Sequence, residues 1–270
     1  ISEEGYFFER DRLFCRGGIH TDSAAGCVIA CLENQYSTEI LLGYNALEQD
    51  ISGYKVIIIP ELKSIEPELK QKLLNYASAG GTLIVTGAHA TKLFANEVGF
   101  DSDKLQTEDV IAQLNIDNKK LTVECPFALF NEECFHKASL ATTSGEGLGV
   151  KQSVFGGAGG SWPLPRVQFD KPVAGSIVKA YEKGNIALIP FDLGEQYLNF
   201  KTYQMREMLG EIIQKCYSEK AVETNTHLSE VVLSEKDGRE FIQLINMGAG
   251  KMAGEVKTFN ESLPIYNLKV

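Results

Sequence analysis

The sequence has no C-x-x-C pair among its six cysteines, no H-x-x-x-H or H-E-x-x-H pattern among its four histidines, and a single tryptophan. A zinc ribbon, a thioredoxin motif and a helix-borne metal pair are therefore excluded as local motifs. No basic run exists, and 36 acidic residues against 26 basic ones give a net charge of −10. A nucleic-acid partner, which favours a basic stripe, is not expected. The longest apolar run, around Val56-Ile57-Ile58-Ile59, falls far short of the roughly 20 residues a bilayer span needs, so no membrane span is expected. No signal peptide is visible and the first residue is Ile1, so the chain is expected to begin inside a longer gene product. A soluble protein is expected, with the compartment, cytoplasmic or periplasmic/extracytoplasmic, left open.

What is present is ordinary for a globular fold: 270 residues, 44% hydrophobic and 23% charged. Residues 22–35 read as a helix, with Ala24, Cys27, Val28, Cys31 and Leu32 on one face and Thr21 or Asp22 as cap. Cys27 and Cys31, four apart, are expected to pack as small apolar side chains. Thr38–Leu42 reads as a short strand. Tyr54–Ile59 is a β-branched run ending at Pro60, suited to a parallel strand buried on both faces. Glu66-Pro67-Glu68 opens a helix, with proline in its first turn and acids at the positive dipole end. Leu69, Leu73, Tyr76 and Ala77 give its apolar face, Gly80-Gly81 ends it, and Thr82–Thr86 is the next strand. This βαβ unit predicts an open, mostly parallel α/β sheet with helices on both faces.

The middle is less patterned. Glu108–Leu114 reads as a helix, Leu121–Glu124 and Ser139–Thr142 as short strands, and Gly145–Gly160 as a loop. Ile177–Tyr181 and Ile186–Ile189 read as strands, and 202–217 as a helix with Met205, Met208, Leu209, Ile212, Ile213 and Cys216 inside. Beyond Lys220 the period becomes two. Leu228–Leu233 and Arg239–Ile245 read as strands joined at Lys236-Asp237-Gly238, a tight-hairpin signature. The expected division is residues 1–220 as the α/β domain and 221–270 as a C-terminal β module, too short for an independent sandwich but suited to be part of a larger one.

Candidate chemistry lies at the predicted strand ends, where open α/β sheets collect ligands. Gly87-Ala88-His89-Ala90 occupies the elbow where related folds place a nucleophile, yet it holds neither Cys nor Ser. His89, Glu61 (directly after Pro60) and Glu195 (in Asp192-Leu193-Gly194-Glu195) are the candidate ligand contacts there. Trp162 follows Gly156-Gly157-Ala158-Gly159-Gly160-Ser161 and offers a broad face on which a sugar ring could stack. The glycine stretch lacks the Gly-Lys-Ser/Thr ending of a phosphate loop. No catalytic residue, metal or cofactor is assigned. A nucleophilic Cys15, Cys125 or Cys134 is the rival reading, with Arg16 beside Cys15 to lower its pKa.

Tyr54–Glu61, Leu69–Gly81 and Thr82–Gly87 together resemble the class I glutamine-amidotransferase-like domain attached to glycoside hydrolases, of which the trimerisation domain of family 42 β-galactosidases is one type. Leu32–Ile40 and Gly184–Phe191 fit the same domain, as its helix-to-strand link and late strand. Val231-Val232-Leu233 and Asp237-Gly238-Arg239 resemble the β domain that follows it. The first central strand of such a sheet is not evident before His20, where Phe7-Phe8 and Leu13-Phe14 are the apolar clusters. The resemblance implies a flavodoxin-like fold without glutaminase activity. It also implies an accessory, non-catalytic region of a carbohydrate-active glycoside hydrolase, serving assembly and oligosaccharide contact. Its implied partners are a TIM-barrel catalytic domain or a sister subunit. A free-standing hydrolase and a small-ligand-binding module of flavodoxin-like fold are the alternatives.

Overall fold

The computed structural model describes residues 21–116, 119–130, 141–142, 148–149, 169–171, 174–247, 252–253, 256–257 and 265–270. Phe7-Phe8, Leu13-Phe14, Cys15, His20, Cys134, His136, the loop 145–160 (but for 148–149) and Trp162 lie outside the described residues.

The order of elements alternates early and turns to strands later. Helix α1 (Thr21–Glu33) is followed by α2 (Gly43–Glu48), β1 (Val56–Ile59), α3 (Pro67–Ser78), β2 (Thr82–Thr86) and α4 (Ala88–Leu93). Next come the long strands β3 (Gln106–Ile116) and β4 (Lys119–Leu129), then β5 (Ala141–Thr142), β6 (Leu148–Gly149) and β7 (Phe169–Lys171). Strands β8 (Ile177–Tyr181) and β9 (Gly184–Ile189) precede helices α5 (Leu193–Phe200) and α6 (Tyr203–Cys216). The chain then gives β10 (Ser229–Lys236), β11 (Arg239–Asn246), β12 (Met252–Ala253) and β13 (Val256–Lys257).

The central sheet has the order β1-β2-β9-β8-β5. Strands β1, β2 and β9 run parallel, with Ile57 opposite Leu83 and Leu83 opposite Ile186. Strands β8 and β5 extend the sheet antiparallel. All five residues of β2 are buried, as expected for a strand covered on both faces. On one face Ile57, Ile59, Leu83, Val85 and Leu188 pack with Leu69, Leu73 and Ala77 of α3. On the other, Ile84, Ala187 and Ile189 pack with Ala30 and Cys31 of α1 and with Met205, Met208, Leu209 and Ile212 of α6. The expected α/β sheet with helices on both faces is present.

Helix α3 ends as its glycines require. Gly80 has φ +122°, and the Gly80 and Gly81 N–H groups donate back to Ala77 O (3.1 Å) and Tyr76 O (3.0 Å). Helices α1 and α5 meet through Gly26 and Gly194, where a side chain on either would overlap the other's backbone.

Three sequence expectations differ from the structure. Glu108–Leu114 is strand, inside β3, which pairs antiparallel with β4 in full register from Gln106–Leu129 to Ile116–Lys119. Val110, Ala112, Leu114 and Ile116 are buried in alternation, so period two wins over the helical reading of the same residues. Among the described residues Thr38–Leu41 forms no strand and Leu42 makes only a single β-bridge, with α2 following directly. Helix α5 was not foreseen from periodicity, although Asp192 caps it by accepting the Glu195 N–H at 2.9 Å.

The C-terminal hairpin β10–β11 forms its own two-stranded sheet, with Asp237 (φ +53°) and Gly238 (φ +70°) in the left-handed turn the Asp-Gly pair signalled. Ser229 and Val231 are buried at its start, whereas every residue of β11 is exposed.

Candidate functional site

Three strand ends converge at one edge of the α/β unit. Glu61 follows β1, His89 opens α4 after β2, and Asp192 follows β9. The sequence placed Glu61, His89 and Glu195 in one cleft region, and the structure brings the first two into contact. His89 Nδ1 lies 3.1 Å from Glu61 Oε1, and the His89 backbone N–H donates to the same carboxylate at 3.1 and 3.2 Å. The backbone N–H groups of Ala88 and Ala90 also hold it. The elbow's N–H groups are thus occupied by a carboxylate from the chain itself. Gly87, with φ +122°, lets Glu61 approach: a Cβ there would overlap the carboxylate.

Two further residues are central to this cluster: Ser23, which the sequence reading missed, and Asp192, which it gave only as the strand end before Glu195. Ser23 of α1 donates its hydroxyl to Asp192 Oδ1 at 2.7 Å and accepts the Glu61 N–H at 3.0 Å. Asp192 is buried and also accepts the Glu195 N–H. Its signal was in the sequence: Asp192-Leu193-Gly194-Glu195 has the spacing of a helix capping box. Glu195 itself contributes its backbone to this network while its side chain is exposed.

Burial sets the electrostatics. Desolvation pushes the Glu61 carboxyl up to about 8, with the Asp192 charge adding to it and the elbow N–H groups opposing. Desolvation likewise raises Asp192 to about 6, against the Glu195 N–H and the Ser23 hydroxyl. His89 is the accessible member, its side chain 45% exposed against 21% for Glu61. The geometry is an imidazole oriented by a buried carboxyl, with Nε2 as its remaining ring nitrogen. It holds no Ser or Cys nucleophile within the elbow.

The cysteine alternative finds no support in Cys125. That thiol is buried in the core with β3 and α6, and desolvation drives its pKa far up. Cys27 and Cys31 are buried as expected, the latter pushed up to about 12 by desolvation. Among the described residues no group of three or more His, Cys, Asp or Glu side chains could hold a metal ion. No described helix is long and apolar enough to cross a membrane. A cavity of about 620 Å³ lies elsewhere, along the outer edge of β1, lined by Cys27 and Cys31 of α1, residues 37–41 and Val231–Leu233.

Residues 37–97 match the family of the β-galactosidase trimerisation domain. No curated protein sequence matches the chain. Among solved structures, α-L-fucosidase isoenzyme 2 from Paenibacillus thiaminolyticus superposes with TM-score 0.67 at 15% identity, over 93% of this chain and 38% of that one. A β-galactosidase from Bacillus circulans sp. alkalophilus gives TM-score 0.54 at 12% identity, over 85% of this chain and 33% of that one. The cold-adapted β-galactosidase from Rahnella sp. R3 gives 0.53 at 13%, over 84% and 32%. The chain therefore spans between about a third and two fifths of these proteins' lengths. Over residues 37–97 this chain matches the β-galactosidase trimerisation domain family, and the α/β fold around that segment is one that these glycoside hydrolases share.

Proposed function

We propose that this chain is an accessory, non-catalytic region of a glycoside hydrolase, serving the assembly of subunits around a catalytic domain of the same enzyme. The match of residues 37–97 to a trimerisation domain carries this reading. The elbow supports it. At the strand end where a nucleophile would stand, the chain has Gly87-Ala88-His89, and the N–H groups that could stabilise an oxyanion are taken by Glu61. We further propose the division near residue 220, with the hairpin β10–β11 as the start of a larger β module. A two-stranded hairpin exposing Phe241, Ile242, Leu244 and Ile245 requires cover from further strands.

His89, with Glu61 behind it, is the proposed glycan contact of the described residues, and Trp162 and Glu195 are the further candidates. The test is twofold. Light scattering on the 270-residue chain should give a mass three times 29.7 kDa. An assay against aryl β-galactosides and aryl α-fucosides should give no turnover by this chain. A monomeric chain, or one that cleaves either substrate, overturns the reading. Chemical-shift changes of the His89 ring on addition of galactose or fucose test the glycan contact, and an unmoved ring rejects it.

A further inference from the structure

His89 is the accessible end of a buried network, and the group behind it sets its hydrogen-bonding character. A neutral imidazole carries one proton, on Nδ1 or on Nε2, and the partner of one nitrogen decides what the other presents. Here Nδ1 lies 3.1 Å from Glu61 Oε1. Two carboxyls meet behind that contact. The Ser23 hydroxyl of α1 donates to Asp192 Oδ1 at 2.7 Å and accepts the Glu61 N–H at 3.0 Å, so one side chain touches both residues.

The charges around Glu61 favour its keeping a proton. Asp192 is buried, its negative charge falls on Glu61, and Glu195 at the start of α5 adds a further carboxylate beside Asp192. Buried carboxyls in one network resist ionising together. The N–H groups of Ala88, His89 and Ala90 favour the ionised form of Glu61, but burial and the Asp192 charge outweigh them. Asp192, raised less, gives up its proton first and leaves Glu61 holding one. That proton has two places to sit, and both give the same outer face. On Glu61 Oε1 it is donated to Nδ1, and the imidazole's own proton stands on Nε2. On Nδ1 it makes an ion pair of carboxylate and imidazolium, with Nε2 still protonated. When the pair releases this proton to water, the remaining imidazole proton is drawn to Nδ1 by the Glu61 carboxylate. Nε2 is then left with a lone pair.

We propose that Glu61 and His89 form one proton-sharing pair that sets the polarity of the ligand contact: Nε2 donates a hydrogen bond while the pair holds its proton, and only accepts one after the proton is lost. The ligand chemistry follows. The proton-holding form suits an oxygen that accepts, such as the ring or glycosidic oxygen of a sugar, and the neighbouring Asp192 and Glu195 carboxylates oppose an anion. This rests on the reading of His89 as a glycan contact. It adds to that reading the kind of atom the ring meets and the pH range over which it meets it.

The experiment follows the His89 ring nitrogens by nitrogen-15 NMR in the 270-residue chain, from about pH 6 to pH 10. Nε2 should pass from protonated to unprotonated with a midpoint of about 8, in step with the carbon-13 shift of the Glu61 carboxyl. In Glu61→Gln the amide donates to Nδ1 in place of the acid, so Nε2 should stay protonated throughout. Circular dichroism checks that both chains remain folded over the range. Methyl β-galactoside, titrated at about pH 7 and about pH 9.5, should bind the parent chain about fivefold more weakly at the higher pH, the loss of one hydrogen bond. The variant should show no such change with pH. An Nε2 that keeps one state in the parent chain, or a variant that repeats the parent's transition, overturns the pair. Equal affinity of the parent at both pH values, with the transition present, overturns the assignment of an accepting oxygen. A ring that the sugar leaves unmoved at both pH values overturns the glycan reading, while the transition at Nε2 decides the pair by itself.

Discussion

Glu61 is the residue through which pH should act on this fold. Its carboxyl is raised from 4.5 to about 8 and that of Asp192 from 3.8 to about 6, both chiefly by burial. A carboxyl whose pKa rises on folding favours the folded state while protonated. Its contribution is full below the unfolded pKa and is lost as pH climbs through the folded value. Stability should therefore fall across the window from about pH 5 to pH 9, on the order of 4 kcal/mol for a shift of this size. Glu61→Gln keeps a carbonyl oxygen to accept the elbow N–H groups and removes the titration. Thermal unfolding followed by circular dichroism should show the parent losing melting temperature between pH 5 and 9, and the variant losing markedly less. Equal slopes for both proteins would mean that Glu61 is ionised and solvated in the folded state.

Close approach of helices α1 and α5 depends on small residues where they meet. Helices α1 and α5 touch at Gly26 and Gly194, where a Cβ on Gly26 would overlap the Gly194 carbonyl. Gly26→Ala would normally strengthen a helix, by up to about 1 kcal/mol. Here the methyl must push α5 away from α1, and overpacking of this kind costs about 1–3 kcal/mol. Urea unfolding should show a net loss for Gly26→Ala. Ser23 and Asp192 sit at the start of these same two helices, so the hydrogen bond between them should loosen as well. A stabilised variant would place the helices farther apart than their glycines indicate.

The same elements show what a single sequence reveals. The β1–α3–β2 unit was legible because local signals agreed: β-branched runs, Pro67 at the helix start and Gly80-Gly81 at its end. The stretch 108–114 was not, because Val110, Ile111 and Leu114 fit a helix spacing while Val110, Ala112 and Leu114 fit a strand. Only the pairing with β4 decides between them. At the site, His89 and Glu61 were legible as strand-end residues. Ser23 was hidden within an ordinary amphipathic helix, since its hydrogen bond to Asp192 spans 169 positions of sequence.

At the scale of the whole molecule, the question is how the last fifty residues depend on the rest. The sequence places the break near 220, where the period changes from helical to alternating. The structure puts an anchor just beyond it. Gln35, buried after α1 with φ +65°, donates its side-chain amide to Thr224 Oγ1 and Thr226 O at 2.6 Å each, and its Oε1 accepts the Thr224 N–H at 2.8 Å. His227 Nδ1 lies 3.2 Å from the Glu33 carbonyl, and Val231 is buried beside α1. Asn225 extends the tie to the end of the chain through Asn267 O and Lys269. Cutting the chain after Val222 removes all of these at once. The central sheet and its helices keep their own cores, so the shortened protein should still fold. Burial of Val231 is worth about 1.5–3 kcal/mol, and the net value of each lost hydrogen bond is about 1 kcal/mol, since Gln35 then meets water. Together these come to about 5–7 kcal/mol and predict a melting temperature lower by roughly 10–25 °C for a chain of this size, with cooperative unfolding retained. The shortened chain should also be less prone to aggregate, because β11 and its exposed Phe241, Ile242, Leu244 and Ile245 are gone. Calorimetry and light scattering check both outcomes. Loss of cooperative unfolding on truncation would mean that the α/β unit and the hairpin fold as one body, and that the change of period at 220 marks no boundary.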